Sequence, residues 1–366
     1  MMIRFSWRRG PQLLSLLDAI AIDRHDLGLD AFDSRQIEWA IDTGLGPLFF
    51  RAVKDNPGNA TSSHWPLLKA ADLTARVISA DLSDAMAEIL DARRGREFHL
   101  TLLKGISLSE ECYPEPHLRP MRDLDFLVAS DALPQVDILL RRLGYEQPCE
   151  SDAQTYENHH HLAPYFNAEK NVWVELHRGL FSAKKRASSV AVFRPKNILS
   201  QLRPSTFRQR DVYRLSYELE VVYLACHWAQ DFKTLGGMTA MVDMIHLLKR
   251  APVRLDWERI IDWVRGSVAA SYLYLLLSYV NRYGLVTLDP AVLRELFMSQ
   301  PSLGKCSLKL AHGIINRYLV QGRGFGRILS KRNIAVLWKA LALPRSLLRH
   351  RRQIPVSLSP VRMRAG

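Results

Sequence analysis

The 366-residue sequence predicts an α+β fold in which a small mixed β-sheet lies between N-terminal and C-terminal helical regions. Three observations predict it. Apolar residues recur at helical spacing through residues 1–95, β-rich runs bounded by turn residues occupy 96–200, and helical spacing returns in 201–300. A basic helical segment and tail follow in 301–366. We therefore divide the chain into these four regions and expect the chemistry in the second.

The N-terminal region is predicted to be helical from its first apolar run. Leu13 to Ile22 is predicted to form an amphipathic helix. Although Trp7-Arg8-Arg9 precedes it, Asp18 interrupts the apolar core that a signal peptide would need. A second helix is indicated by the apolar residues spaced between Leu73 and Leu90, after a loop at 56–59.

An apolar run over residues 98–103 ends abruptly in Lys104-Gly105-Ile106-Ser107. This pattern predicts a buried strand that breaks into a turn, followed by a short helical segment around Leu108 to Cys112. Glycine lets a backbone approach a ligand closely, and free N–H groups at the start of a helix favour an anion. Lys104 would add a positive charge and Ser107 a hydroxyl donor.

The most informative stretch, Arg119 to Val128, predicts a β-strand that begins with two carboxylates. Side chains alternate along a strand, so Asp123 and Asp125 project to one face. At about 4 Å and an effective dielectric near 20, two such charges repel by on the order of 4 kcal/mol. A divalent cation removes this repulsion, and the guanidinium groups of Arg119 and Arg122 suit phosphate. Solvated surface carboxylates are the alternative interpretation of an Asp-x-Asp sequence alone.

A β-hairpin is predicted downstream, around a polar turn. If Phe166 pairs with Val172, then His161 lies opposite His177 and on the same face as Glu175. A one-residue slip would reverse every side chain. Three acidic groups can hold two metal ions for in-line displacement at phosphorus. Glu175 is therefore the candidate third carboxylate, and His161 and His177 are candidates for a substrate pocket.

Three consecutive histidines at residues 159–161 also suggest a transition metal. Neighbouring strand residues point to opposite faces, so we expect at most His159 and His161 to share an ion. Neither a cysteine pair nor a His-Glu-x-x-His sequence accompanies them. Strand packing is the favoured interpretation, a pair that lines the substrate pocket comes second, and zinc comes last.

Several short motifs occur in a characteristic order. They are Lys104-Gly105, Tyr113-Pro114, Arg119, Met121 to Asp125, Leu143-Gly144-Tyr145 and Val174 to His177, followed by Leu224 to Trp228 and Met241 to Asp243. This series resembles an uncharacterised bacterial nucleotidyltransferase family, nucleotidyltransferase family 5, in the DNA-polymerase-β-like superfamily. The resemblance covers roughly residues 75–250.

The resemblance implies a nucleotidyltransferase core with Asp123, Asp125 and Glu175 as its metal ligands and catalytic residues. The turn at Gly105 and Ser107 would correspond to the superfamily motif that holds the nucleotide phosphates. The metal would be Mg²⁺ or Mn²⁺, and the substrate an NTP. The insert between this turn and the acidic strand is longer than usual and rich in Glu and Pro, so it is expected to shape the pocket.

The reaction expected from the resemblance transfers a nucleoside monophosphate from an NTP to an acceptor and releases pyrophosphate. Glu175 would bind the catalytic metal or take the proton of the acceptor, and Lys104, Arg119 and Arg122 would offset phosphate charge. The acceptor stays open among a small molecule, a peptide, a protein and an RNA. Two alternatives are a catalytically silent nucleotide-binding or docking protein, and a toxin-type nucleotidyltransferase that acts on RNA or protein.

The formal net charge of +13 is concentrated at the C-terminus. Residues 301–366 hold 14 Lys and Arg and no Asp or Glu, so residues 1–300 sum to about −1. With the apolar stretch at 334–343, this segment predicts a basic amphipathic helix. It would contact an anionic membrane surface, RNA or an acidic partner, or else form a solvated helical cap.

Composition limits the class of protein. Hydrophobic residues make up 48% and charged residues 24% of the chain, which is typical of a globular protein and excludes a disordered one. The four cysteines lack Cys-x-x-Cys spacing, which predicts free thiols and a cytoplasmic location. The richest apolar run, Tyr272 to Val280, is too short to predict a transmembrane segment.

Overall fold

The computed structural model describes residues 12–148, 156, 159–183, 185–231, 236–301, 311–313 and 315. Within these residues the chain forms the α+β fold that the sequence predicts, with a six-stranded sheet between helical flanks. The basic segment predicted in the tail lies almost entirely outside the described residues. None of the described helices combines the length and the apolar character that crossing a membrane requires.

The N-terminal flank is helical, as predicted. Its α-helices are α1 (Gln12–Ile22), α2 (Ser34–Asp42), α3 (Gly46–Val53) and α4 (Trp65–Arg93), and its short 3-10 helices are Leu29–Ala31 and Pro57–Thr61. Helix α2 begins with a capping box. The Asp33 carboxylate accepts from the Gln36 backbone N–H at 2.9 Å, and the Gln36 side chain accepts from the Asp33 N–H at 3.0 Å.

The sheet is mixed and brings distant parts of the chain together. Its strands are β1 (Thr101–Leu102), β2 (Asp123–Leu127), β3 (Tyr165–Asn167), β4 (Val172–His177), β5 (Leu202–Phe207) and β6 (Arg210–Leu215). They lie in the order β3-β4-β2-β1-β6-β5. The β2–β4 and β1–β6 pairs are parallel and the other three pairs are antiparallel.

The β5–β6 hairpin corrects the sequence analysis, which predicted helix at these positions. Arg208 and Gln209 form its two-residue turn with φ values of +45° and +66°. Positive φ at both central residues matches the twist of a hairpin, and Asn-Gly or Gly-Gly usually signals such a turn. Because neither residue is Gly or Asn, the sequence carries no hairpin signal here.

The register of the β3–β4 hairpin differs from the prediction by one residue near its turn. Phe166 lies opposite Trp173, so the predicted pairing of Phe166 with Val172 was wrong. The predicted pairing of His161 with His177 is confirmed by a β-bridge. One extra residue on the β3 side, between the two pairings, reconciles them, as in a β-bulge.

The other helices pack around the sheet. The α-helices are α5 (Lys104–Cys112), α6 (Leu133–Arg142), α7 (Pro195–Leu199), α8 (Tyr217–Asp231), α9 (Gly236–Arg250), α10 (Trp257–Val264), α11 (Val268–Arg282) and α12 (Pro290–Ser299), and the 3-10 helices are Pro116–Leu118, Arg186–Ser189 and Ala191–Phe193. Helix α6 follows β2 as predicted, and α8 to α12 form the C-terminal helical flank.

Strand β2 separates two hydrophobic clusters. Leu124 and Phe126 lie in a cluster with residues of α4 and α6, whereas Leu127 lies in a larger cluster with residues of α8 to α11. Since strand side chains alternate, Asp123 and Asp125 project to the side of Leu127. The acidic face of the sheet is thus directed towards the C-terminal helices.

Candidate active site

The parallel pairing of β2 and β4 brings the predicted acidic residues together. Asp125 lies directly opposite Glu175, and Asp123 lies two residues earlier on the same face of β2. His177 follows Glu175 on the corresponding face of β4. Two pairs of residues, about 50 positions apart in the sequence, therefore meet on one face of two adjacent strands.

Asp125 is at the centre of this group. Its Oδ1 accepts from Lys104 Nζ at 2.8 Å and lies 2.7 Å from His177 Nε2. His177 Nε2 also lies 3.4 Å from Glu175 Oε2, and the ring is fully buried. Ligand atoms of Asp125, Glu175 and His177 lie within 4.8 Å of one another, so these three residues are able to share a metal ion.

The electrostatics of the three acids differ. Burial, reinforced by the charges of Asp125 and Glu175, raises the pKa of Asp123 to about 7. Burial would also raise the pKa of Asp125, but the Lys104 charge and the His177 hydrogen bond hold it well below its usual range. Burial opposes ionisation of Glu175 as well, yet its hydrogen bond with His177 lowers its pKa overall. Asp123 therefore bears the uncompensated like-charge repulsion of the group.

This repulsion gives a test of whether the site suits the metal that the sequence analysis expected. A divalent cation beside Asp123 would favour its ionised form, and carboxylate oxygens are the ligands that Mg²⁺ and Mn²⁺ prefer. The carboxylates of Asp123, Asp125 and Glu175 are of the ligand type that fits such an ion. Among the described side chains of this site, those whose ligand atoms lie within 4.8 Å of one another are Asp125, Glu175 and His177. Asp123 is not in this group.

A pocket of about 360 Å³ opens beside Asp123. Its walls come from Thr43 and Gly44, from residues 119–123, and from α8 and α9, and Lys104 also lines it. Two of its walls thus belong to helices outside the predicted core. Three cationic side chains, those of Lys104, Arg119 and Arg122, border this space.

The two arginines differ in their freedom. The Arg119 guanidinium donates to Asp243 on α9 through Nη2 at 2.9 Å and Nε at 3.2 Å, and Nη1 donates to the Pro120 carbonyl at 2.8 Å. Tyr113 donates its hydroxyl to the same Asp243 carboxylate at 2.6 Å. Arg122 is exposed and forms no ion pair with any described residue. Arg119 is therefore a fixed cation in the wall, and Arg122 is free to reach a ligand.

Comparison with known proteins agrees with this geometry. Residues 33–284 match the model of a family described as an uncharacterised nucleotidyltransferase. The chain belongs to this family. The match runs from the N-terminal cap of α2 through the whole sheet to the end of α11, and so includes every wall of the pocket. No curated protein and no solved structure matches the chain.

In this member of the nucleotidyltransferase family, the Lys-Gly-x-Ser segment is helical, which corrects the predicted turn. Helix α5 begins at Lys104, whose φ of +47° is unusual for a residue other than glycine. A non-glycine residue held in the left-handed region costs on the order of 1 kcal/mol, and such residues cluster at functional sites. At Lys104 the Nζ–Asp125 ion pair accompanies this conformation.

Gly105 and Ser107 are placed differently from their predicted roles. A Cβ atom at Gly105 would lie 2.5 Å from Arg119 Nη1 and 2.8 Å from Met121 Cγ, so glycine lets Arg119 pack against the helix. Ser107 is buried, does not line the pocket beside Asp123, and accepts a hydrogen bond on its carbonyl oxygen from Arg214. Contact of either residue with phosphate stays a prediction.

The Glu-rich insert was expected to shape the pocket, and its residues 119–122 line it, whereas two of its glutamates bind the β5–β6 hairpin. The Glu110 carboxylate accepts from Arg214 Nη2 at 2.9 Å, and Glu111 pairs with Arg203. Arg214 is fully buried. These ion pairs connect the C-terminal end of α5 to the hairpin.

The three histidines were expected to alternate between faces, and this was wrong. Ring nitrogens of His159, His160 and His161 lie within 4.8 Å of one another. Only His161 bridges to β4, and the two preceding residues form a bend, so the strand alternation does not apply. His161 Nε2 lies 3.8 Å from Glu175 Oε2, which places it beside the acidic group.

A second pocket of about 440 Å³ lies near the other end of β2. Leu127, His99 and Tyr213 line it, and Asp131 is on its rim. Neither paired carboxylates nor a cationic cluster occurs among its described lining residues. We use the charged residues, not the volume, to choose between the two pockets. The candidate site is therefore the smaller pocket, beside Asp123.

Proposed function

We propose that this protein is a metal-dependent nucleotidyltransferase that moves a nucleoside monophosphate from an NTP to an acceptor and releases pyrophosphate. The observation that carries the proposal is the direct pairing of Asp125 with Glu175 on parallel strands, with Asp123 on the same face at the mouth of a cationic pocket. Membership of a nucleotidyltransferase family supports it.

The reaction forms one bond and breaks another at the α-phosphorus. The acceptor nucleophile bonds to the α-phosphorus, the bond from that phosphorus to the bridging oxygen of the β-phosphate breaks, and pyrophosphate leaves. The proton of the acceptor goes to a base. Glu175 is the candidate base because it lies next to Asp125 and is ionised at neutral pH, although its lowered pKa makes it a weaker base than a group with a pKa near 7.

The remaining residues would position the triphosphate. Arg119, held by Asp243, would offer a fixed positive charge, while the exposed Arg122 would close on the phosphates from the rim. Lys104 keeps Asp125 ionised and adds its charge to the wall of the pocket. Mg²⁺ or Mn²⁺ held by Asp123, Asp125 and Glu175 would supply Lewis-acid stabilisation of the phosphate charge.

Labelled nucleotide tests the proposal. We would incubate the full-length protein with each NTP labelled at the α-phosphate, with Mg²⁺ or Mn²⁺, and with fractionated small molecules, peptides, proteins and RNA. The expected result is transfer of label from one NTP to one acceptor fraction. Asp125→Asn should lower this transfer at least about 100-fold, since it removes a charge that acts in the transition state.

Asp131→Asn is the matched control, because Asp131 is exposed beyond the end of β2 and belongs to the other pocket. Its transfer rate should equal that of the wild type. Full transfer by the Asp125 variant would contradict the proposal. Tight NTP binding without transfer to any fraction would instead favour a silent docking protein.

A further inference from the structure

We infer that His159, His160 and His161 form a binding site for a transition-metal dication such as Zn²⁺. This site is distinct from the magnesium site of the proposed function. It rests on the geometry of the histidine segment alone and does not depend on nucleotidyl transfer.

The three histidine rings lie close together. Ring nitrogens of the three histidines lie within 4.8 Å of one another, and the rings of His159 and His161 have centroids 4.1 Å apart. Zn–N bonds of about 2.0–2.1 Å in a tetrahedral site require nitrogens about 3.4 Å apart. The nitrogens are therefore at most about 1.4 Å farther apart than a bound ion would hold them.

Two of the histidine ring nitrogens lack a hydrogen-bond partner. The Nδ1 atoms of His159 and His160 are buried and have no hydrogen-bond partner among the described residues. Leaving a buried polar nitrogen unpaired costs about 1–3 kcal/mol, so such atoms call for a ligand. The three rings therefore carry more nitrogen capacity than the surrounding protein satisfies.

His161 has the arrangement expected of a ligand held by its second nitrogen. Its Nδ1 lies 2.7 Å from the Leu162 carbonyl oxygen, which orients the ring and leaves Nε2 available. That Nε2 faces Glu175 Oε2 at 3.8 Å. Three protein nitrogens leave the fourth position of a tetrahedral ion for water or substrate.

The backbone of the segment is held in place before any ion binds. The His159 carbonyl accepts from Arg178 Nε at 2.8 Å, and the His160 carbonyl accepts from the Arg178 backbone N–H at 2.8 Å. His161 is fixed by its bridge to His177 on β4. A rigid backbone lowers the entropy cost of assembling three ligands.

Ligand chemistry separates the two sites. Imidazole nitrogens suit Zn²⁺, Co²⁺ and Ni²⁺, whereas Mg²⁺ selects oxygen ligands such as those of Asp123 and Asp125. A nitrogen-only set at the histidines is therefore expected to ignore millimolar Mg²⁺. Co²⁺ is a useful probe because its visible absorption reports its coordination.

The experiment is a Co²⁺ titration of the chelator-treated, full-length protein, followed by competition with Zn²⁺. We expect a Co²⁺ ion with an intense visible band that is displaced by Zn²⁺ and unchanged by Mg²⁺, and the histidine variants separate it from Co²⁺ bound by the carboxylates. His160→Gln and His159→Gln should each weaken Co²⁺ binding at least 10-fold. His99→Gln, which changes an exposed histidine in edge-to-face contact with Tyr213, should leave binding unchanged.

Asp123→Asn separates this inference from the proposed function. It should remove nucleotidyl transfer and keep wild-type Co²⁺ affinity. Two results would overturn the inference: equal Co²⁺ affinity in both histidine variants and the wild type, or loss of Co²⁺ binding in Asp123→Asn with retention in His160→Gln. Circular dichroism of each variant checks that it is folded.

Discussion

Two charged clusters, one at each end of α5, differ in their balance of charge. In the cluster that joins α5 to the β5–β6 hairpin, Glu110 and Glu111 meet Arg203 and Arg214, so negative and positive charges balance. On the acidic face, Asp123, Asp125 and Glu175 share one lysine and a histidine. Buried charges that balance are compatible with a stable fold. An excess of negative charge instead indicates a binding site for a cationic ligand.

Glu220 is a further carboxyl group, close to the charges of Asp243 and of the balanced cluster. It is buried on α8, and its Oε1 has no hydrogen-bond partner among the described residues. Burial, together with the nearby charge of Asp243, raises its pKa to about 8. A Glu220 variant therefore tests the effect of a buried carboxyl group on stability without changing Asp123, Asp125 or Glu175.

The largest effect on stability is expected in the balanced cluster. Arg214→Met would leave Glu110 partly buried without its partner, and breaking a buried ion pair costs about 3–5 kcal/mol of the free energy of unfolding. Urea denaturation measures this loss. Arg208→Gln, which removes an exposed ion pair with Asp84, should cost only about 0–1 kcal/mol. Equal costs for the two variants would break the comparison.

The next effect concerns pH. Because the pKa of Glu220 is raised to about 8 when folded, the folded state binds its proton more tightly than the unfolded state. The stabilisation is complete below about pH 4.5 and is lost as pH rises through 8. Glu220→Gln should therefore flatten the fall of stability between pH 5 and 8, by on the order of a few kcal/mol.

Thermal unfolding at several pH values, with Glu258→Gln as an exposed control on α10, measures this slope. A slope unchanged in the Glu220 variant would show that the carboxyl is solvated or paired in the folded protein. The Glu258 variant should follow the wild type throughout.

A smaller and opposite effect is expected on the acidic face. Asp123→Asn removes one of three mutually repelling charges, so in a chelator at pH 8 it should raise the free energy of unfolding by about 1–2 kcal/mol. The same change should abolish transfer. A variant that is both inactive and less stable would indicate that Asp123 is a structural residue.

The smallest effect tests how Arg119 is positioned. An alanine side chain at Gly105 would meet Arg119 Nη1 and displace the guanidinium, so Gly105→Ala should raise the KM for NTP about five-fold, or about 1 kcal/mol. Gly179→Ala is the control, since no atom lies within 4 Å of its Cβ position and its φ is not positive. An unchanged KM in the Gly105 variant would remove Arg119 from the phosphate site.

Much of the fold follows from local patterns. The alternation of β2 placed Leu124 in the core and Asp123 on the opposite face, and helical spacing indicated α1 and α4. The β5–β6 hairpin was not predictable in this way, because its turn residues Arg208 and Gln209 adopt positive φ without a glycine or asparagine signal.

The site shows the same division between local and long-range information. The sequence indicated which acids share a strand face, yet the parallel pairing of Asp125 with Glu175 depends on contacts across 50 residues. The pairing of Arg119 with Asp243 spans 124 residues and has no local signal. The histidine cluster was misjudged because a bend replaces the strand at His159 and His160.

A crystal structure with Mn²⁺ and a non-hydrolysable NTP analogue would test whether the three acids hold the metal beside the triphosphate. Anomalous scattering would locate the Mn²⁺. We expect an anomalous peak within bonding distance of carboxylate oxygens of Asp123, Asp125 and Glu175, with the triphosphate beside Arg119 and Arg122. An analogue bound elsewhere, or a peak that none of these three acids contacts, would contradict it.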